Sequence, residues 1–252
     1  MAAHTGGSAA GDSPAAGERA AFRAPFLALA LAAGVAGILD AFALTRYGVF
    51  VANQSGNVVH VGMGLVGHDP SWPASVASMA GFATGAGVAF RLRGRGGPDH
   101  RSPAAVELCM TIGALLLWAG IDVALDRGPV AGVRWVVLVV IGGFSMGCMS
   151  ALMVRSAGTA VNATYQSGTV AKTGERIAAW ITGTGPARTG ARHASLLGSI
   201  GIAGYATGGG VGALTQRHPV WTFAVAVSIL CMLLLSLTAR RPQPGTRRAG
   251  PG

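Results

Sequence analysis

The sequence predicts an all-α membrane protein with six transmembrane helices in two inverted three-helix repeats, each carrying a short polar half-helix. Three observations support this fold class: the composition, six long apolar runs, and a phrase that occurs twice. Of 252 residues, 51% are hydrophobic and only 11% are charged, whereas soluble domains carry about 25% charged residues. Of the 40 glycines, 17 lie inside these apolar runs, where they indicate close packing of helices rather than disorder.

The apolar runs define the predicted spans and, with them, the domains. Each run is long enough to cross a hydrocarbon core of about 30 Å at about 1.5 Å per residue. A signal peptide is the rival interpretation of the first run, but the apolar stretch continues past its candidate cleavage motif at 28–30. The predicted spans are 26–44, 72–90, 104–125, 133–154, 193–214 and 220–239. The predicted domains are a disordered tail (1–24), repeat one (25–125), repeat two (132–239) and a basic tail (240–252).

An internal duplication is indicated by two phrases that recur in the same order. Residues 54–58 (QSGNV) are echoed by 166–170 (QSGTV), and residues 81–88 (GFATGAGV) are echoed by 204–211 (GYATGGGV). Duplicated membrane units commonly form a binding site where the two copies meet. The sequence therefore predicts a site between the repeats.

The distribution of basic residues predicts the topology. If neither QSG segment crosses and the N-terminus is inside, all but four of the 19 Lys and Arg residues lie on the inner side, the exceptions being Arg46, Arg127, Arg134 and Arg217. This bias follows the positive-inside rule and predicts that both termini are cytoplasmic. Three crossings per unit would place the second unit upside down relative to the first. If residues 49–67 also cross, the alternative is seven spans with the N-terminus outside.

Three stretches carry a recognisable pattern: residues 37–41 (GILDA), 50–59 (FVANQSGNVV) and 164–170 (TYQSGTV). They resemble the bacterial DUF1275 family, also called the YoaK family, and the resemblance extends over about residues 26 to 238. It implies six helices in a bacterial inner membrane and no known reaction. The chain departs from the family pattern at Ser55 and Ser167, where Thr is usual, and at 149–150, where a Gln-Asn pair is common.

Asp40 is the carboxylate that lies furthest inside an apolar span. Helical spacing places Ala33, Ala36 and Gly37 on its face, so a second helix can approach closely and Asp40 is expected to face protein. An intramembrane carboxylate costs several kcal/mol or more and is a functional candidate by default. The alternative is a structural tie between the first helix and a neighbouring backbone or Arg.

The two QSG segments are predicted to begin short helices inside the membrane. A helix that starts there exposes N–H groups and a partial positive charge, which can hold an anion or a polar solute. Entering from opposite faces, the segments would bring together the pathway candidates Asn53, Gln54, Ser55, Asn57, Tyr165, Gln166, Ser167 and Thr169. Alternatively both are surface caps, and the charged second one is an amphipathic interfacial helix. His60, one turn beyond Asn57, is a candidate proton relay with Asp40.

Glycines spaced four residues apart are predicted to pack helices rather than to bind a ligand. Gly81 and Gly85 share one helix face, and so do Gly204, Gly208 and Gly212. Small residues at this spacing let two membrane helices approach closely. Their partner lies either in the other repeat or in a second copy of the chain, which leaves a homo-oligomer open.

Several function classes are excluded by what the sequence lacks. It contains no zincin, P-loop, dinucleotide-binding or Cys-x-x-Cys motif, so we expect no enzyme, no cofactor and no metal. The net charge of +10 resides in loops and tails, so nucleic acid is not an expected partner. The expected function is a small-solute transporter or channel, with the lipid bilayer and an unknown small solute as partners. The alternative is a non-transporting membrane packing or interaction module.

Overall fold

Eight helices and one two-stranded hairpin make up the computed structural model, which describes residues 22–94, 103–124, 132–150, 152–156, 159–162, 164 and 166–237. The helical class predicted from the sequence is confirmed. Apart from residues 22–24, the predicted tails lie outside the described residues. The elements are α1 Pro25–Tyr47, α2 Gln54–Leu65, α3 Trp72–Gly94, α4 Pro103–Ala124, α5 Gly132–Ser150, β1 Met153–Ser156, β2 Thr159–Asn162, α6 Gln166–Thr182, α7 Gly185–Thr215 and α8 Pro219–Leu235.

Local sequence explains where helices begin and end. Pro lies in the first turn of α1, α7 and α8, where its missing N–H costs no hydrogen bond. Helix α1 ends at Gly48, which adopts a left-handed φ of 74° and donates its N–H to the Leu44 carbonyl at 3.0 Å. A residue with a Cβ would be strained in this conformation, so glycine terminates the helix cleanly.

Four of the described helices are long and apolar enough to cross a membrane: α1, α3 over residues 72–92, α4 and α5. Helix α8 is apolar but has only 17 residues. Helix α7 has 31 residues but is not among the four, which agrees with the many glycines in its apolar half. Helix α2 has 12 residues, or about 18 Å, and is too short to cross a core of about 30 Å.

The fourth predicted span, 133–154, extends four residues beyond the C-terminal end of the helix that forms there. Helix α5 stops at Ser150, where the Asn162 side-chain amide donates to the Ser150 carbonyl at 2.6 Å. The chain then forms the antiparallel hairpin β1–β2, in which Met153 pairs with Asn162. An apolar run cannot reveal such an end, because the group that satisfies the last carbonyl comes from 12 residues later in the sequence.

Contacts between helices define their directions. Helices α1 and α7 run parallel, because Ala30, Gly34 and Ile38 contact successive positions along α7. Helices α3 and α5 also run parallel to each other. Ring and side-chain contacts between the remaining elements show that α1, α4 and α7 point one way while α3, α5 and α8 point the other.

The two ends of the helix bundle are distinguished by their contacts. At one end, the Tyr47 end, the C-termini of α1 and α4 meet the start of α5, as Trp135 Nε1 donates to the Tyr47 carbonyl at 3.1 Å. At the other end, the Phe22 end, Phe22 forms an isolated bridge with Leu237. The first and last described residues of the chain therefore lie together.

An aromatic cluster joins three of the helices near the Tyr47 end. The rings of Phe42, Trp118 and Phe223 pack edge to face with centroid separations of 5.1 to 5.9 Å. Each such pair contributes about 0.5–1.5 kcal/mol beyond the burial of its area. The cluster fixes α4 and α8 against α1, which supplies much of the buried core.

Candidate functional site

Backbone contact between α1 and α7 occurs at glycines. A Cβ at Gly208 would lie 2.0 Å from the Gly34 carbonyl oxygen, and one at Gly37 would lie 2.0 Å from the Tyr205 carbonyl oxygen. A Cβ at Gly204 or Gly212 would likewise lie 2.5 or 2.3 Å from the carbonyl oxygen of Ala30 or Ile38, respectively. No side chain fits in these positions, so the two helices touch backbone to backbone.

Helices α3 and α5 touch in the same manner. A Cβ at Gly81 would lie 2.3 Å from the Val140 carbonyl oxygen, and one at Gly85 would lie 2.1 Å from that of Phe144. From the opposite side, a Cβ at Gly147 would lie 2.1 Å from the Phe82 carbonyl oxygen. The glycines that the sequence singles out thus contact the other half of this same chain.

The segment between α1 and α2 turns back into the bundle. After Tyr47, residues 48–53 return along α1 to Asp40, which lies about 10 Å short of the helix end at 1.5 Å per residue. Helix α2 starts there and runs back to the Tyr47 end, where Gly64 lies against Trp72 at the start of α3. The QSG phrase of the first half therefore begins a helix within the bundle.

Asp40 holds the turn at the start of α2. Its carboxylate is 2% exposed. Oδ1 accepts the backbone N–H groups of Val51 and Ala52, both at 2.7 Å, and Oδ2 accepts that of Asn53 at 2.9 Å. The Tyr205 hydroxyl of α7 donates to Oδ2 at 2.5 Å. We call Asp40, residues 51–53 and Tyr205 the Asp40 junction, because it joins α1, the turn and α7.

Asn57 supplies the second anchor of the turn. Its fully buried side-chain amide accepts the Phe50 N–H at 3.0 Å and donates to the Phe50 carbonyl at 2.7 Å. The amide therefore satisfies both backbone polar groups of Phe50. Ser78 of α3 donates to the same carbonyl at 2.7 Å. The irregular backbone of the turn is thus hydrogen-bonded inside the bundle, as backbone groups removed from water must be.

Gln54 and Ser55 complete the first phrase with local bonds. Gln54 Nε2 donates to the Val51 carbonyl at 2.8 Å, and its Oε1 accepts from Asn57. The exposed Ser55 donates to the Asn53 side-chain oxygen at 2.7 Å. The five first-half candidates Asp40, Asn53, Gln54, Ser55 and Asn57 therefore form one connected network.

The second phrase forms the start of α6. Ser167 is exposed, Gln166 is half-buried and Thr169 is 7% exposed; Tyr165 lies outside the described residues. Just before it, Thr164 is held by its N–H and hydroxyl on the Asn162 side-chain oxygen, both at 2.8 Å. Helix α6 packs on α7 while α2 packs on α3, and in the described part of the chain α2 and α6 share no substantial interface.

His60 lies in the second half of α2, and its partner is Asp69 rather than Asp40. Its Nδ1 pairs with the Asp69 carboxylate in the loop before α3, and its ring lies 6.3 Å from the Phe50 ring. Asp69 also accepts the Ser71 N–H at 2.7 Å and hydroxyl at 2.6 Å, an arrangement that caps the start of α3. The hydrogen bonds from Ser71 and His60 lower the pKa of Asp69 to about 2.

This depressed pKa predicts acid sensitivity of the α2–α3 connection. The ionised Asp69 stabilises the fold above its ordinary pKa of 3.8, and that contribution is lost as the pH falls from there towards 2. We expect Asp69→Asn to flatten the pH dependence of the thermal unfolding midpoint of the solubilised protein between about pH 4 and 2. A slope in that range equal to that of the unsubstituted protein would contradict this role.

A second buried carboxylate was not singled out by the sequence. Asp122 is fully buried within the protein, near the end of α4. Its Oδ1 accepts from the Tyr47 hydroxyl at 2.7 Å and from Arg46 Nε at 3.1 Å. The adjacent Arg46 and Tyr47 at the end of α1 were the available sequence signal for a buried carboxylate nearby. They do not identify that carboxylate, because 75 residues separate Tyr47 from Asp122. Glu107, 1% exposed in α4, is a third buried carboxylate.

These features place the chain in the class of helical membrane proteins. Its apolar helices, its glycine-mediated backbone contacts and its helix beginning within the bundle are typical of proteins embedded in a bilayer. The chain belongs to the DUF1275 family, a family of proteins of unknown function whose model matches residues 27–237. No curated protein and no solved structure is significantly similar to the chain.

Proposed function

We propose that this protein is a small-solute transporter or channel whose six spans form two inverted repeats. Inverted repeats with discontinuous helices are the usual construction of secondary transporters, and their substrate sites lie where the repeats meet. Repeat one would comprise α1 to α4, and repeat two α5 to α8.

The observation that carries this proposal is the equivalence of the glycine contacts. Equivalent residues of α1 and α5 differ by 110 in residue number, so Ala30 and Gly34 correspond to Val140 and Phe144. Equivalent residues of α3 and α7 differ by 123, so Gly81 and Gly85 correspond to Gly204 and Gly208. The contacts of Gly204 with Ala30 and of Gly208 with Gly34 then match those of Gly81 with Val140 and of Gly85 with Phe144. In these four contacts a Cβ added at the first-named glycine would lie 2.5, 2.0, 2.3 and 2.1 Å, respectively, from the partner's carbonyl oxygen. A third contact, of Gly37 with Tyr205, matches that of Gly147 with Phe82.

Helix directions support the inversion. In repeat one, α1 and α4 run towards the Tyr47 end and α3 runs towards the Phe22 end. In repeat two the order is reversed: α5 and α8 run towards the Phe22 end and α7 runs towards the Tyr47 end. The meeting of Phe22 and Leu237 supports both termini on one side of the membrane. With the basic residues, it supports a cytoplasmic location of both termini in a bacterial inner membrane.

Asp40 has the chemistry of a coupling carboxylate in this scheme. It accepts four hydrogen bonds on two oxygens, which only an ionised carboxylate accommodates without reversing a donor. Protonation would therefore weaken the junction between the α2 turn and α7. Proton arrival could in this way be converted into movement of one repeat against the other.

The alternative is a non-transporting packing module, and one observation favours it. The polar groups of the first phrase bond mainly to one another and to nearby backbone rather than pointing at a solute. In the module, the junction would serve only to hold the bundle together.

Cysteine accessibility separates these two functions. After replacement of the native Cys109, Cys148 and Cys231, a single cysteine at position 55 or 167 is labelled in sealed vesicles with a small membrane-impermeant thiol reagent. We expect the two positions to react from opposite sides, because each phrase begins a half-helix from a different face. A cysteine in place of the fully buried Ser145 of α5 is the unreactive control.

Two labelling results would contradict the proposed transporter. Labelling of both positions from the same side would contradict the inverted arrangement. Lack of labelling at both, with normal folding, would contradict a water-accessible path and favour the packing module.

A further inference from the structure

The corner between α6 and α7 extends past the start of α1 at the Phe22 end. His193 of α7 packs against Phe26 at the start of α1, with ring centroids 5.1 Å apart. Residues 185–192 of α7 therefore continue about 12 Å beyond that contact at 1.5 Å per residue. The polar interface outside a bilayer's hydrocarbon core is about 5–8 Å deep on each side, so this extension is long enough to traverse it.

Helix α6 accompanies α7 along this extension in the opposite direction. Thr173 lies against Gly198, and one turn later Arg176 Nη1 donates to the Ala194 carbonyl at 3.4 Å. The Arg192 guanidinium then lies 6.0 Å above the Trp180 ring. The two helices thus form one continuous surface, the α6–α7 corner (residues 172–192).

The charge of this corner is strongly one-sided. Lys172, Arg188 and Arg192 are exposed or half-exposed and Arg176 is partly so, whereas Glu175 is the single acidic residue in the corner. Residues four apart share a helix face, so α6 carries Lys172 and Arg176 on one face and α7 carries Arg188 and Arg192 on one face. Cation pairs on adjacent helices repel one another unless an anion neutralises them.

Apolar side chains lie beside the cations. Ile181 is 69% exposed and Ile177 is 38% exposed on α6, and Trp180 is half-buried between the helices. A basic surface flanked by exposed aliphatic side chains and a Trp is typical of segments that lie in the headgroup region of anionic membranes.

We infer that the α6–α7 corner binds the headgroups of anionic phospholipids in the surrounding leaflet. Guanidinium groups form paired hydrogen bonds with phosphate oxygens, and the isoleucines contact the first acyl carbons. A zwitterionic phosphatidylcholine carries no net charge to neutralise the four cations, so the corner selects against it. This inference does not depend on transport and applies equally to a packing module.

The test measures binding of a fluorescent phosphatidylglycerol to the full-length protein in neutral detergent. We expect Arg176→Gln, Arg188→Gln and Arg192→Gln combined to raise the Kd at least about tenfold, since each cation near an anionic surface contributes about fivefold. The matched control removes the same charge from arginines elsewhere, with Arg23→Gln, Arg91→Gln and Arg217→Gln combined, and should change the Kd less than about twofold.

Three results would overturn the inference. An equal loss in both triple variants would show that only overall charge matters. A loss with Lys at positions 176, 188 and 192 as large as that with Gln would show that packing matters rather than charge. Competition by free glycerol phosphate as strong as that by the lipid would assign the corner to a soluble anion. Should the Gln variant not fold, the Lys variant and the expected weakening of wild-type binding in about 0.5 M salt still decide the question.

Discussion

Asp40→Asn is expected to lower the free energy of unfolding by about 3 kcal/mol and to abolish transport under the proposed function. The asparagine oxygen can still accept the N–H groups of Val51 and Ala52. The new amide, however, would point its own N–H groups at the Asn53 N–H and the Tyr205 hydroxyl, leaving two half-buried donors without their acceptor. Each buried bond to a charged group is worth about 1.5–3 kcal/mol, and unsatisfied partners add to the cost.

Tyr205→Phe separates the contribution of the Tyr205 hydroxyl from that of the Asn53 N–H. It removes one hydrogen bond to Asp40 but leaves the three backbone donors satisfied, so we expect a loss of about 1.5 kcal/mol. The double variant should be less destabilised than the sum of the two single variants, because a phenyl ring at position 205 presents no donor to the new amide. Denaturation in mixed micelles measures all three. Full additivity would contradict direct coupling between α1 and α7 at Asp40.

Transport gives the second readout for the same variants. In vesicles, Asp40→Asn removes the protonatable group while Tyr205→Phe retains it. Loss of solute flux in the first variant only would support coupling through Asp40. Loss of flux in both, in proportion to their stability, would show that Asp40 acts only as a structural tie.

Gly208→Ala is the other substitution with a large expected effect. The added methyl would lie 2.0 Å from the Gly34 carbonyl oxygen and 2.8 Å from the Gly34 Cα. Backbone atoms cannot rotate away as a side chain can, so α1 and α7 must separate, at a cost of about 2–3 kcal/mol. Gly208→Leu should prevent recovery of folded protein.

A neighbouring glycine provides the control. Gly210 lies on the same helix, and a Cβ there meets nothing within 4 Å. Gly210→Ala is therefore expected to be neutral or to stabilise by up to about 1 kcal/mol, since Ala favours helix more than Gly does. The pair Gly85 and Gly87 on α3 repeats this comparison in the other half of the chain. Similar unfolding free energies for Gly208→Ala and Gly210→Ala would contradict the backbone contact.

Composition and spacing were sufficient for the class, the family and most helices. Charge depletion together with long apolar runs indicates helices in a bilayer, because each backbone group there must find its hydrogen-bond partner locally. The approach of a helix to the face of Asp40 was also predictable, since Gly37 one turn before Asp40 leaves room for it. Spacing along one helix carries that information directly.

Contacts between distant residues decided the rest. Asp40 was recognisable as a buried carboxylate, but its partners come from positions 51–53 and from Tyr205, 165 residues away. The same limit applies to Asp122 and to the end of α5 at Ser150. The sequence by itself determined which residues leave water and which helix faces can approach closely, because hydropathy and side-chain size are properties of each residue. Only the tertiary structure decided which faces meet and which donors surround each carboxylate, because those depend on the packing of all the helices at once.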